Sequence, residues 1–324
     1  MAKTVKWGII GCGNVTEVKS GPAYKMAEGF ELVAVMRRNF ELAKDYAERH
    51  NVPRYYNDAD ELINDSEIDA IYIATPPDTH LHYAMKVAQA NKICCIEKPM
   101  APSYAECLEI QTIFEKRELP LFVAYYRRSL PRFKKVKELL EEKVIGSVRH
   151  ISWSLSRTPS ELDISKTYNW RTDANIAPAG YFDDLASHGL DLFVDLLGDV
   201  KEAKGISSNQ QQLYSAKDII SASWEHDKGI IGTGMWSFGT YKREDKVRIV
   251  GSDGELSFSV FGEEPIEIIT NDKIEQVYIE NPKHIQQYHV ENMVKHLQLG
   301  IEHPSTGKTA THTAWIMDSI LNQL

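Results

Sequence analysis

From Val5 to Ile10 the chain is almost continuously apolar, the run stops at Gly11-Cys12-Gly13, and residues with helical spacing follow. That is the pattern of a strand, a tight turn and a helix. A second apolar run, Glu31 to Met36, precedes ELAKDYAERH; a third ends in DAIYIATPP, and a fourth passes through KICCIEKP. Short strands alternating with helical segments of about 10 to 15 residues predict a parallel α/β sheet. Further helices are expected over Ala101 to Lys116 and Pro131 to Lys143, with a strand at PLFVAYYRR between them.

After Gly146 the pattern changes. The segments SVRHISWSLSR, EAKGISSNQQQ, DIISASWEH, GIIGTGMWSF, KVRIVGSDGELSFSV and PIEIIT are strand-like and separated by short turns, which suits a large, mostly antiparallel sheet. One helix, about Gly180 to Leu197, interrupts them, and helical spacing returns from Gln287 to Leu324 with a break at His303-Pro304. At 324 residues the chain exceeds the usual one-core range of about 50 to 250. The reading is therefore two domains, 1–130 and 131–324, with the final helix free to pack back on the first.

Composition narrows the function classes. Hydrophobic residues make up 43% and charged residues 26%, a globular balance, and the formal net charge is −9 with the acidic groups dispersed. Neither nucleic acid nor an anionic membrane is an expected partner of such a surface. The basic run Arg127, Arg128, Arg132, Lys134 and Lys135 opens an amphipathic stretch and is expected to be a solvated helix face. Four cysteines, Cys12, Cys94, Cys95 and Cys107, lack metal-ligand spacing, so no metal site is expected. The segment before Val5 has no basic leader followed by an apolar core, and the expected compartment is the cytoplasm.

Gly11 and Gly13 are the first two glycines of a dinucleotide fingerprint, placed directly after a strand. Gly11 serves the tight turn, and Gly13 lets a pyrophosphate approach the backbone at Asn14 and Val15, where a helix begins. Thr16 replaces the third small residue, so the helix is expected to sit slightly farther from the strand. Where the second strand ends, an acid that would hold the ribose of NAD is absent and Arg37 and Arg38 stand instead. Planar guanidiniums suit a 2′-phosphate, which favours NADP while leaving NAD open.

The block ATPPDTHLHYAMKVAQANKICCIEKPM, with its Glu97-Lys98-Pro99 triplet, and the later block YNWRTDANIAPAGYFDDLASHGLDLFVDLLGDV together resemble the Gfo/Idh/MocA family of sugar and polyol oxidoreductases. The resemblance spans essentially the whole chain. It implies an N-terminal Rossmann-like parallel sheet and a C-terminal α+β domain on a large, mostly antiparallel sheet. Lys98, Asp184 and His188 are the implied catalytic residues, and Thr75, Pro76, Glu97 and Lys98 join Gly11, Gly13, Asn14, Val15, Arg37 and Arg38 around the cofactor. Residues four apart share a helix face, so Asp184 and His188 can point toward one substrate.

Tyr126, Arg128, Trp170, Arg171 and His289 are further substrate-binding candidates, Trp170-Arg171 because the pair resembles one frequent in the family before the catalytic segment. His80 and His82 are read as support rather than metal ligands. The implied activity is hydride transfer between a nicotinamide and a sugar, polyol or related carbonyl compound, in a homo-oligomer. Three other readings share these residues: reduction of a bilin-like or cyclic unsaturated substrate, redox-assisted sugar conversion, and a nucleotide-binding regulator without turnover. Ala186, where the family often has glycine, is a departure near the catalytic segment.

Overall fold

Trp7, Ile9 and Ile10 are fully buried, as expected of a strand covered on both faces, and this strand organises the first of two sheets. A computed structural model describes residues 4–271 and 273–324. The first unit contains β1 (Val5–Ile10), α1 (Asn14–Val18), α2 (Gly21–Met26), β2 (Phe30–Met36), α3 (Phe40–His50), β3 (Arg54–Tyr56), α4 (Ala59–Asn64), β4 (Ala70–Ile73), α5 (His80–Gln89), β5 (Ile93–Ile96), α6 (Tyr104–Lys116) and β6 (Leu121–Val123). The strands pair in parallel in the order β3, β2, β1, β4, β5, β6. The chain reverses its direction of winding between β1 and β4, and a ligand crevice forms outside the carboxyl ends of strands at such a point.

The expected helix after β1 is two short ones. Its first turn is fixed by Thr16, whose hydroxyl donates to the Gly13 carbonyl at 2.9 Å and accepts from the Gly13 N–H at 3.0 Å. At Gly21 any Cβ would lie 2.3 Å from the Thr16 carbonyl oxygen, so a glycine there permits the tight passage into α2. Serine chemistry also sets the start of α6: Ser103 accepts from the Glu106 N–H, which moves the helix start from Ala101 to Tyr104.

The first unit runs to Ser129 and then takes back Pro282–Thr311, so part of the segment 131–324 packs with the nucleotide-type sheet. Here α10 (Gln287–Leu299) places Val290 and Met293, both fully buried, in one core with Trp7, Tyr24, Tyr72 and Phe122. Burying such a side chain stabilises by about 1.5 to 3 kcal/mol. The Ser305 hydroxyl donates to the Val123 carbonyl at 2.7 Å, tying the returning segment to β6.

The second unit is Leu130–Asn281 with His312–Leu324. It holds α7 (Pro131–Glu141), β7 (Val148–Ser156), α8 (Glu161–Ile164), α9 (Tyr181–Leu197), β8 (Val200–Ser208), β9 (Ile219–His226), β10 (Ile231–Ser237), β11 (Glu244–Gly251), β12 (Gly254–Phe258), β13 (Ile266–Thr270) and β14 (Ile274–Val277); α11 (Gly307–Leu321) starts in the first unit and ends in the second. The eight strands lie in the order β14, β13, β12, β11, β7, β10, β9, β8, antiparallel except where β10 pairs with β7. Along β9 every second residue, Ile220, Ala222, Trp224 and His226, is buried. On that side Trp153 meets Phe193 edge-on at 5.5 Å and Phe182 meets Trp236 at 4.9 Å, which seats α9 against the sheet.

The arginines of the basic run are not on a solvated face, although Lys134 is exposed. Arg127, Arg128 and Arg132 are all buried, and two of them clip backbone carbonyls: Arg128 donates to Pro304 at 3.2 Å, and Arg132 to Gly262 and Glu264 at 2.7 and 3.0 Å. A guanidinium carries five donors, so it can satisfy carbonyls that no strand partner reaches. No helix among the described residues is long and apolar enough to cross a membrane.

Candidate functional site

The nucleotide turn is built where the winding reverses. Gly11 has φ +90°, and a Cβ there would stand 2.7 Å from the Thr75 methyl and 3.0 Å from the backbone after β4, so this turn admits glycine alone. Gly13 differs: a Cβ on it would meet nothing nearer than the Gly11 carbonyl at 3.8 Å, so that side of the loop is open. Beyond it the N–H groups of Asn14 and Val15 find no acceptor among the described residues. An open glycine face bordered by two available donors fits a pyrophosphate.

Arg37 and Arg38 follow β2, exposed, with no hydrogen bond or ion pair from either side chain among the described residues. Asn39 next to them caps α3, accepting from the Leu42 N–H at 3.1 Å. The two guanidiniums are therefore presented at the carboxyl end of β2 beside a helix start, with no ion pair among the described residues.

Lys98 stands on a loop braced from below. The Glu97 carboxylate is turned inward, 7% exposed, and accepts from the Tyr72 hydroxyl at 2.5 Å, the Gln286 amide at 2.7 Å and the Lys98 backbone N–H at 3.1 Å. These partners occupy the carboxylate and tie it to the Lys98 loop. Fully buried His80 places Nε2 2.8 Å from the Thr75 carbonyl oxygen and Nδ1 3.1 Å from that of Pro99, joining the two loops that flank the nucleotide turn. Burial holds its pKa below the ordinary value, partly offset by those carbonyls. Thr75 also accepts from the Thr79 hydroxyl at 2.7 Å, while Pro76 leads into a short 3-10 turn, Pro77–Thr79.

In the second unit, Asp184 and His188 sit one turn apart on α9, as their spacing requires. Arg171 donates from Nε to the Asp184 carboxylate at 2.7 Å, and its guanidinium lies 4.2 Å from the centre of the Trp170 ring. Stack and ion pair together fix that carboxylate. His188 is 4% exposed with its ring edge-on to Phe261 at 5.8 Å. The Arg171, Trp170, Asp184 and His188 candidates are thus brought together in one unit. The Gly11, Gly13, Asn14, Val15, Arg37, Arg38, Thr75, Pro76, Glu97 and Lys98 candidates are all in the other.

Asp183, unremarked in the sequence, is the more unusual carboxyl. Burial pushes its pKa up to about 7, assisted by the charges of Asp318 and Asp184 and opposed by the Ala179 N–H, which donates to it at 2.8 Å. A raised carboxyl pKa means the folded chain holds its proton where the unfolded chain, with a pKa of about 3.9, has lost it. Stability from this group is therefore full below about pH 4 and falls as pH rises to about 7. Asp183→Asn (D183N) keeps an acceptor for Ala179 and cannot ionise, so its melting temperature should gain on the native chain's across that window and run parallel above it. A difference independent of pH in thermal melts would overturn this assignment.

Three substrate candidates fall elsewhere. His289 is completely buried, with Nε2 3.8 Å from the Cys95 sulfur and its ring edge-on to His303 at 4.7 Å; burial, then His303, holds its pKa well below the usual value. A side chain on the inward face of α10 packs the first unit's core, so the expectation for His289 is corrected. Arg128 is the carbonyl clip described above, and Tyr126 lies under the Arg127 guanidinium at 4.9 Å in the same first-unit turn. Gln286 is the site residue that sequence reasoning missed: it is polar and far along the chain from Glu97, and no local pattern marks it. Among the described residues no group of three or more His, Cys, Asp or Glu is arranged to hold a metal.

Comparison with known proteins follows the same division. Residues 5–125 match the description "Oxidoreductase family, NAD-binding Rossmann fold", and residues 133–257 match the GFO/IDH/MocA C-terminal domain. Oxidoreductase P35 of Formosa agariphila is 38% identical over 319 residues, 98% of each chain. A levoglucosan dehydrogenase, solved with NADH and L-sorbose, superposes with a TM-score of 0.88 at 20% identity, covering 99% of this chain and 97% of that one. The WlbA dehydrogenase of Bordetella pertussis, solved with NADH and UDP-GlcNAcA, gives 0.84 at 20% identity, covering 99% and 95%.

Proposed function

Because the chain belongs to the Gfo/Idh/MocA oxidoreductase family, we propose that it interconverts a secondary hydroxyl of a sugar or polyol and the corresponding carbonyl, with NADP preferred over NAD. The observation that carries this reading is that Arg171, from the 3-10 turn Trp170–Thr172, holds Asp184 of α9, giving an oriented carboxylate one turn from the His188 imidazole. When bound, the nicotinamide supplies the hydride acceptor or donor. His188 takes the hydroxyl proton, imidazole being the usual side chain for proton transfer near neutral pH. Asp184, held by Arg171, orients His188 or the substrate, and the Lys98 ammonium stabilises negative charge developing on the reacting oxygen. Sugars, polyols and their oxidised forms screened with NAD(H) and NADP(H) test the proposal. Nucleotide binding without substrate-dependent absorbance change across the panel would favour a regulator instead.

The cofactor preference has its own test. Arg37→Ala and Arg38→Ala remove exposed cations that suit a 2′-phosphate, so each should weaken NADP binding by about 10-fold or more, a charge-assisted hydrogen bond being worth roughly 1.5 to 3 kcal/mol. NAD binding should change little. Direct titration with both dinucleotides decides it, and equal losses for the two would reject the phosphate role.

The same reading includes a homo-oligomer formed through the outward face of the second sheet, where Ser221, Ser223 and Met235 alternate with the buried residues. Sedimentation of the native chain measures this. A cytoplasmic location is supported by four buried cysteines that all remain thiols.

A further inference from the structure

Arg157 directly follows β7, and its backbone is tied on both sides: the N–H donates to the Ser237 carbonyl at 2.9 Å, and the carbonyl accepts from the Thr240 N–H at 3.0 Å. Its side chain has no such anchorage. The Nε is shut off from solvent with no partner, and the guanidinium forms no ion pair with any described residue. Arg157 is half-buried, and a shielded N–H without a partner is uncommon enough in folded proteins to call for a specific explanation.

The neighbouring acids are already engaged. Asp184 accepts from Arg171; Asp245 accepts from the Trp153 indole at 3.0 Å and from the Ser259 hydroxyl and Phe261 N–H, both at 2.6 Å. A second cation, Arg243, exposed and also without an ion pair, adds to the burial that lowers the Arg157 pKa, while Asp184 opposes it. On Arg171 only Nε is used, which leaves its terminal amines without a partner among the described residues. The second unit thus carries Arg171 and Arg157 near the Asp184 carboxylate, with Arg243 near Arg157.

We propose that Arg157, with Arg243 beside it, seats a carboxylate of the substrate, so that the substrate class is an acidic sugar such as a uronate or aldonate. This rests on the second unit holding the substrate, as proposed above. The planar fork of a guanidinium matches a carboxylate bidentately, and a monoanion suits a place that already contains Asp184 better than a dianionic phosphate does.

Matched pairs that differ by the carboxylate test it: D-glucuronate against D-glucose, D-galacturonate against D-galactose and D-gluconate against D-glucitol, each with NADP and NAD, plus glucose 6-phosphate. At least one acid should exceed its neutral partner in kcat/KM by about 50-fold or more. Arg157→Met (R157M) should lower that ratio by about 10- to 100-fold, chiefly through KM for the acid, and Arg157→Lys should restore part of it. Arg243→Ala, at an exposed position that does not threaten the fold, should lower the ratio in the same direction. Neutral partners turned over as well as the acids, an unchanged ratio in both R157M and R243A, or preference for glucose 6-phosphate each overturn the carboxylate seat. Turnover of neutral sugars alone leaves the sugar and polyol reading standing, whereas turnover of none of the panel removes both.

Discussion

His188→Asn (H188N) is expected to slow hydride transfer by about 100- to 10,000-fold, the range for loss of a positioned general base, while dinucleotide affinity stays within a few fold. The imidazole belongs to the second unit, nearly buried on α9 and edge-on to Phe261, and the carboxylate one turn earlier is fixed by Arg171. Asparagine keeps a hydrogen-bonding group of similar reach and loses only the titration. Single-turnover oxidation across pH, with cofactor titration in parallel, separates the two effects. A variant with nearly the native rate and pH profile would remove His188 as the base and move attention to Lys98 or a tyrosine.

Lys98→Met (K98M) is expected to cost about 100-fold or more in the same single-turnover rate, since on the proposed reading its ammonium stabilises charge on the reacting oxygen. The fold should survive. The Lys98 backbone N–H on Glu97 and the His80 ring between Thr75 and Pro99 brace this loop and are untouched by the change, and methionine retains most of the apolar stem. Cofactor affinity and the melting temperature are therefore the controls. Near-normal transfer in a K98M protein that binds dinucleotide normally would end the electrostatic role.

Both sheets and helix α9 were legible because each rests on periodicity or a local signal. Apolar runs ending in glycine announced β1 and its turn, alternation announced β7 to β13, and a four-residue interval put Asp184 and His188 on one face. The short edge strand β14 escaped notice because every residue of it except half-buried Val277 is exposed, so it lacks the alternation that marks a half-buried strand. Arg127, Arg128 and Arg132 misled for the opposite reason. Charge in a sequence suggests solvent, yet guanidiniums can be buried where stray carbonyls need donors, and nothing local shows which carbonyls those are. Tyr72 and Gln286, which complete the Glu97 carboxylate, lie on separate elements and meet only after the chain has returned to its first unit.

That return bears on how the protein is made. When Ser129 leaves the ribosome every strand of the first sheet has been synthesised, but Val290 and Met293 of its core have not, and the entire second sheet is translated before they are. For that interval Trp7, Tyr24 and Phe122 lack part of their covering, and the Glu97 carboxylate lacks the Gln286 amide. A nascent chain in this condition exposes apolar surface beside strand edges, the state in which aggregation competes with folding and chaperones are engaged. Completion of the nucleotide-type unit is thus coupled to the end of translation, and a chain halted before α10 emerges holds all of the Gly11–Gly13 turn without part of the core packing beneath it.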